Sequence, residues 1–89
     1  MRGLVGRELE PGVALVLSPA YQVHTFLMSE SIDVALCDRD WRVLWLRRAM
    51  PPNRLSAWRT RGRFAVEMNA GSFPPDVVVG EVLRLVDVE

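Results

Sequence analysis

The only side chain whose ordinary pKa lies near neutrality is the single histidine, His24. It stands in Val23-His24-Thr25-Phe26-Leu27-Met28. Two-residue alternation there places it on one face with Phe26 and Met28, opposite Val23, Thr25 and Leu27. A histidine on an apolar strand face is usually a buried, hydrogen-bonded structural residue; its alternative uses are ligand contact or general acid–base work. Asp33 lies inside the apolar run of residues 32–36, where a carboxylate needs donors. The favoured reading is structural, a pin for the corner at Ser29-Glu30-Ser31. The alternative is that Asp33 shares one polar pocket with His24, Thr25 and Glu67, a constellation suited to holding a small polar ligand. An enzyme built on the same residues, hydrolase- or lyase-like, uses His24 as base with Asp33 orienting it.

Other chemistry has less material. Cys37 falls between apolar neighbours and reads as a small buried hydrophobe rather than a nucleophile. With one cysteine and one histidine there is no ligand spacing for a metal site, and no metal or other cofactor is expected. Asn69-Ala70-Gly71-Ser72 lacks the second glycine and the lysine of a phosphate loop and reads as a turn.

The basic residues are all arginine. Eight of the eleven lie in residues 34–66, against only Asp38 and Asp40, so charge is segregated along a chain of net charge zero. Arg59, Arg61 and Arg63 recur at every second position, which on a strand sets them about 6.5–7 Å apart in a line. Such a row could follow a phosphodiester backbone or an acidic partner. A solvated face neutralised by neighbouring carboxylates is the favoured reading, and nucleic acid is not the expected partner.

These side chains need strands to position them. Residues 57–68 alternate, with Trp58, Phe64, Val66 and Met68 inward and Arg59, Arg61, Arg63 and Glu67 outward. Residues 41–48 form a strand covered on both sides, and residues 13–17, 23–28, 32–38 and 81–86 form shorter ones. Asp38-Arg39-Asp40 is a tight hairpin connection that an aspartate can close through its side chain. Pro51-Pro52-Asn53 and Pro74-Pro75-Asp76 are breaks. Only residues 4–9 and a turn starting near Pro75 suit short helical turns.

Eighty-nine residues, 49% hydrophobic and 25% charged, suit one globular domain spanning residues 1–89. The longest apolar run is residues 13–17, far short of a membrane span of about 20 residues. Glu8, Glu10 and Pro11 interrupt what would be a secretory leader, so a cytoplasmic location is expected.

Laid in order, several pieces carry a resemblance. Arg2-Gly3-Leu4-Val5-Gly6-Arg7 opens the chain, and Val23-His24-Thr25-Phe26-Leu27-Met28 and Ile32-Asp33-Val34 follow. Pro52 with Arg54, Val66-Glu67 with Ala70-Gly71, and Gly80-Glu81 complete the series. Together they resemble the domain of unknown function 192 family, also called uncharacterised protein family 0127, in its branch with the V-H-T-F-x-M motif. Ser31 departs from that pattern, which carries proline there and would preset the corner. The family also usually begins with a further strand, so one sheet edge is expected to be either uncovered or paired with a second copy. The resemblance implies a compact, strand-rich α+β fold and brings no settled activity.

The reading as a whole is an α+β, mainly β, single domain. It has about six short strands in a small barrel-like or strongly curved sheet, with one or two helical turns. Its expected function is non-enzymatic binding of a small polar ligand or a protein partner.

Overall fold

A computed structural model describes residues 13–26 and 28–84. Four strands, β1 Leu15–Leu17, β2 Ile32–Cys37, β3 Val43–Met50 and β4 Phe64–Asn69, form one antiparallel sheet in the order β1-β4-β2-β3. The central strand β2 is buried along its whole length. Its residues Ile32, Val34 and Leu36 face a cluster with Ala20, Val23, Met28, Met50 and Ala65. Ala35 and Cys37 face the other way, onto Val43, Val66 and Phe73. The apolar run at residues 32–37 is therefore what a strand covered on both faces requires.

Irregular chain supplies both covers. Residues 20–26 lie over the first face and run antiparallel to residues 53–59, with Thr25 N–H donating to Arg54 C=O at 2.9 Å and Ser56 N–H to Val23 C=O at 2.8 Å. The second face is closed by Phe73, Val77 and Leu83. The β2–β3 hairpin turns as the sequence implies: Asp38 Oδ1 accepts from the N–H groups of Asp40 and Arg42 at 2.9 and 3.0 Å. Near the end of β3, Ile32 pairs with Met50 but Val34 with Arg47, so β3 carries an extra residue. Ala49, at φ 52°, takes up that bulge.

The expected architecture needs correction in five places. The described sheet is open rather than barrel-like, has four strands rather than six, and ends on β1 and β3. Where a strand over residues 23–28 was expected, the described residues hold a single bridge, His24 to Leu55. The physical reason is a turn: Met28 N–H donates to Thr25 C=O at 3.3 Å, and the same carbonyl accepts from Asn53 N–H at 2.9 Å, which ends the pairing. Residues 81–84 likewise make only the bridge from Arg42 to Val82. No helix occurs among the described residues, and the chain near Pro75 makes a turn closed by Val77 N–H to Pro74 C=O. The expected helical turn at residues 4–9 lies outside the described residues.

The fifth correction concerns the arginine row. Strand β4 begins at Phe64, and residues 59–62 form a turn closed by Gly62 N–H to Arg59 C=O at 2.9 Å. Arg59, Arg61 and Arg63 therefore do not stand in a line on a strand. Trp58, expected in the core, is 58% exposed. The alternation holds only from Phe64 onward, where Phe64, Val66 and Met68 share the second cluster.

Candidate functional site

Thr25 is fully buried and wholly engaged with the chain. Its hydroxyl donates to Pro51 C=O at 2.8 Å and accepts from Arg54 N–H at 2.9 Å. It ties residues 20–26 to the segment after β3, its one donor spent on the chain. Asp33 is equally buried. Its two oxygens accept from Ala49 N–H at 2.8 Å and Phe73 N–H at 2.9 Å. The carboxylate thus fastens the β3 bulge and the loop after β4 to the central strand, rather than the Ser29–Ser31 corner. Two charge-assisted bonds from buried amides are a strong structural pin.

Glu67 lies beside Val34 and Leu15 in the register of β4, on the opposite side of the sheet from Asp33. It is fully buried, and neither carboxyl oxygen has a hydrogen-bond partner among the described residues. Burial away from water pushes its pKa up to about 7. A side chain read from the sequence as facing solvent is thus inside, because the segment over the first face closes on β4 as well. Cys37 is buried too, and burial, followed by the nearby charge of Asp38, raises its thiol to about 11.

His24 points away from the sheet, since its neighbours Val23 and Thr25 are the buried ones. Its ring stacks on Phe26 at 5.1 Å, and its Nδ1 is buried without a partner among the described residues. The four polar residues therefore do not line one cavity. Asp33 and Glu67 sit on opposite faces, and His24 sits outside the layer that covers the Glu67 face. Among the described residues no three His, Cys, Asp or Glu side chains converge as metal ligands would.

Around His24 a different feature forms. Pro19, Tyr21, Gln22, His24 and Trp58 line a surface cleft of about 300 Å³. The rings of Tyr21 and Trp58 stack at 5.5 Å and 17°, and both are largely exposed. Phe26 and Leu55, also exposed, lie next to His24 through its stacking and its bridge. Large apolar side chains grouped at a surface are the unusual case, and such patches mark recognition sites. Gln22 Nε2 donates to Ser56 C=O, which leaves its side-chain carbonyl as an acceptor at the cleft.

Tyr21, Gln22 and Pro19 were not singled out by the sequence, and Trp58 was assigned to the core. The usable signal was Arg59-Thr60-Arg61-Gly62. A glycine there allows a turn, and a turn ends the strand before it reaches Trp58. The model of the DUF192 family, described as "Uncharacterized ACR", matches residues 1–85. The chain belongs to this family. Thr25, Asp33 and Glu67, all buried in this chain, lie within the residues that the DUF192 model matches. No curated protein and no solved structure was found to match the chain. No helix among the described residues is long and apolar enough to cross a membrane.

Proposed function

We propose that this domain is a non-enzymatic binding module that takes a small polar ligand in the cleft of Tyr21, His24 and Trp58. The observation that supports this reading is the stacked, exposed Tyr21–Trp58 pair, held beside His24 by backbone pairing of the two covering segments. Tyrosine and tryptophan faces offer flat apolar area at low conformational cost, with polar tips for orientation. The buried polar residues serve the scaffold: Thr25 and Asp33 spend their hydrogen bonds on backbone groups that hold the two covering segments in place. A His24–Asp33 acid–base pair has no support, since Asp33 faces the other side of the sheet. Ligand-observed saturation-transfer NMR with uridine, methyl β-glucoside and an acetylated prolyl amide tests the proposal. Transfer to at least one ring compound is expected with the wild-type chain. It disappears in a folded Tyr21→Ala/Trp58→Ala variant. Equal transfer to wild type and variant overturns the reading.

A further inference from the structure

The aromatic cleft has a charged neighbour. Tyr21 also lines a second, larger cleft of about 450 Å³, whose walls are the hairpin turn at Asp38, Arg39 and Asp40 and the turn of residues 60–63. Strand pairing brings these turns together, since Arg63 N–H donates to Cys37 C=O at 2.8 Å and Cys37 pairs with Phe64. Three arginines therefore meet at one place: Arg39, Arg61 and Arg63, all exposed.

The three share one cleft with their guanidiniums uncommitted; Arg47 and Arg84 likewise donate to no described residue but do not line this cleft. The guanidiniums of Arg42, Arg48, Arg54 and Arg59 donate to backbone carbonyls, of Gly80, of Phe73, Pro74 and Val77, of Asn53 and of Trp58 respectively. Those of Arg39, Arg61 and Arg63 donate to no described residue; Arg63 rests only over the Phe64 ring, at 6.0 Å. The cleft's carboxylates do not cancel them. There are two against three cations, and Asp38 Oδ1 already serves the amides of its own turn. Guanidiniums with open donor forks are suited to an oxyanion, which they bind in bidentate fashion.

We propose that Arg39, Arg61 and Arg63 hold the oxyanion of the same small ligand whose flat ring packs at Tyr21 and Trp58. The inference rests on the aromatic-cleft reading and extends it. The ligand class is a stackable ring joined to a phosphate or a carboxylate, as in a nucleoside monophosphate or a sugar acid. Both clefts meet at Tyr21, so one molecule of that size engages the ring surface and the charges together.

The test is an NMR titration of the full chain with uridine monophosphate, glucuronate, uridine and inorganic phosphate, read at the Trp58 indole and the arginine Nε–H signals. At least one of the two composite probes is expected to bind about tenfold more tightly than uridine or phosphate alone. Preference for uridine monophosphate assigns a phosphate and a base; preference for glucuronate assigns a carboxylate and a sugar ring. Arg61→Gln/Arg63→Gln, both at exposed positions, lowers the composite probe to the level of its neutral counterpart, and Arg39→Gln does so in part. Added salt weakens the wild type but not the double variant. If uridine and its monophosphate bind equally at Trp58 and the double variant changes nothing, the oxyanion subsite is overturned while the aromatic cleft stands. If no probe moves the Trp58 signal, both fall.

Discussion

Replacing Glu67 with methionine, a side chain of similar length, makes the domain more stable, and the gain grows with pH. In the folded state the Glu67 carboxyl is enclosed, without a partner among the described residues, and burial raises its pKa from 4.5 to about 7. Below pH 4.5 it is protonated in both folded and unfolded chains, and its titration adds nothing to stability. Between pH 4.5 and 7 the unfolded chain gives up the proton while the folded chain keeps it, so stability falls as pH rises through that window. A shift of this size is worth about 3 kcal/mol by pH 8, at about 1.4 kcal/mol per pKa unit. Methionine removes the titration and also removes a buried polar group with no hydrogen bond, worth about 1–3 kcal/mol at any pH. Urea unfolding of both proteins at pH 4.5, 6 and 8 reads the difference directly. The gap between variant and wild type is expected to widen by about 3 kcal/mol from pH 4.5 to 8, on the order of 10–20 °C in midpoint temperature for a domain this small. A gap that stays constant, or a variant less stable than wild type at pH 8, refutes the reasoning, because the carboxylate must then have a compensating donor or cation.

Other consequences follow from the same geometry. Asp33→Ala leaves the Ala49 and Phe73 amides without their acceptor and costs about 2–5 kcal/mol, measured by urea unfolding at pH 7; a loss below 1 kcal/mol contradicts the pin. Thr25→Val keeps the volume but strands Pro51 C=O and Arg54 N–H, and a loss of about 1–3 kcal/mol is expected from the same assay. Gly62→Ala drives a Cβ into the Ala20 carbonyl oxygen, a backbone atom that cannot swing aside. The variant should be destabilised and should lose the wall shared by both clefts, seen as a shifted Trp58 indole signal. Cys37, buried and raised to about 11, should react with a soluble disulfide reagent at pH 8 only as fast as the chain opens; rapid labelling of folded protein would show that the thiol is accessible.

The sequence was legible where side-chain periodicity and packing agree. The run at residues 32–37 is apolar on both faces and became the central strand, and Phe64, Val66 and Met68 alternate inward as expected. It misled where periodicity continued past the structure that produced it. Arg59, Arg61 and Arg63 repeat every two residues, yet the first two belong to a turn that Gly62 closes against Ala20. Glu67 shows the converse: its charge predicts solvent, while its place opposite Val34 and Leu15 predicts burial, and neighbouring strands decide. His24, Thr25 and Asp33 were recognisable as unusual residues. Their separation was not, because which face of the sheet each serves depends on strand order and on the path of residues 20–26, both long-range properties. The aromatic cleft was hidden for the same reason: Tyr21 and Trp58 lie 37 positions apart in the chain and meet only through backbone pairing such as Arg59 N–H to Tyr21 C=O.

The division between scaffold and recognition surface is tested most directly by a backbone and side-chain chemical-shift map of the full chain titrated with uridine monophosphate. Shifts should appear at the Trp58 indole, the Tyr21 and His24 rings and the arginines of the adjoining turns, while the amides of Ala49 and Phe73, which report on Asp33, stay still. Shifts centred instead on Ala49, Phe73 and the neighbours of Glu67, with Trp58 unmoved, would show that the buried polar residues bind the ligand and that the aromatic surface does not.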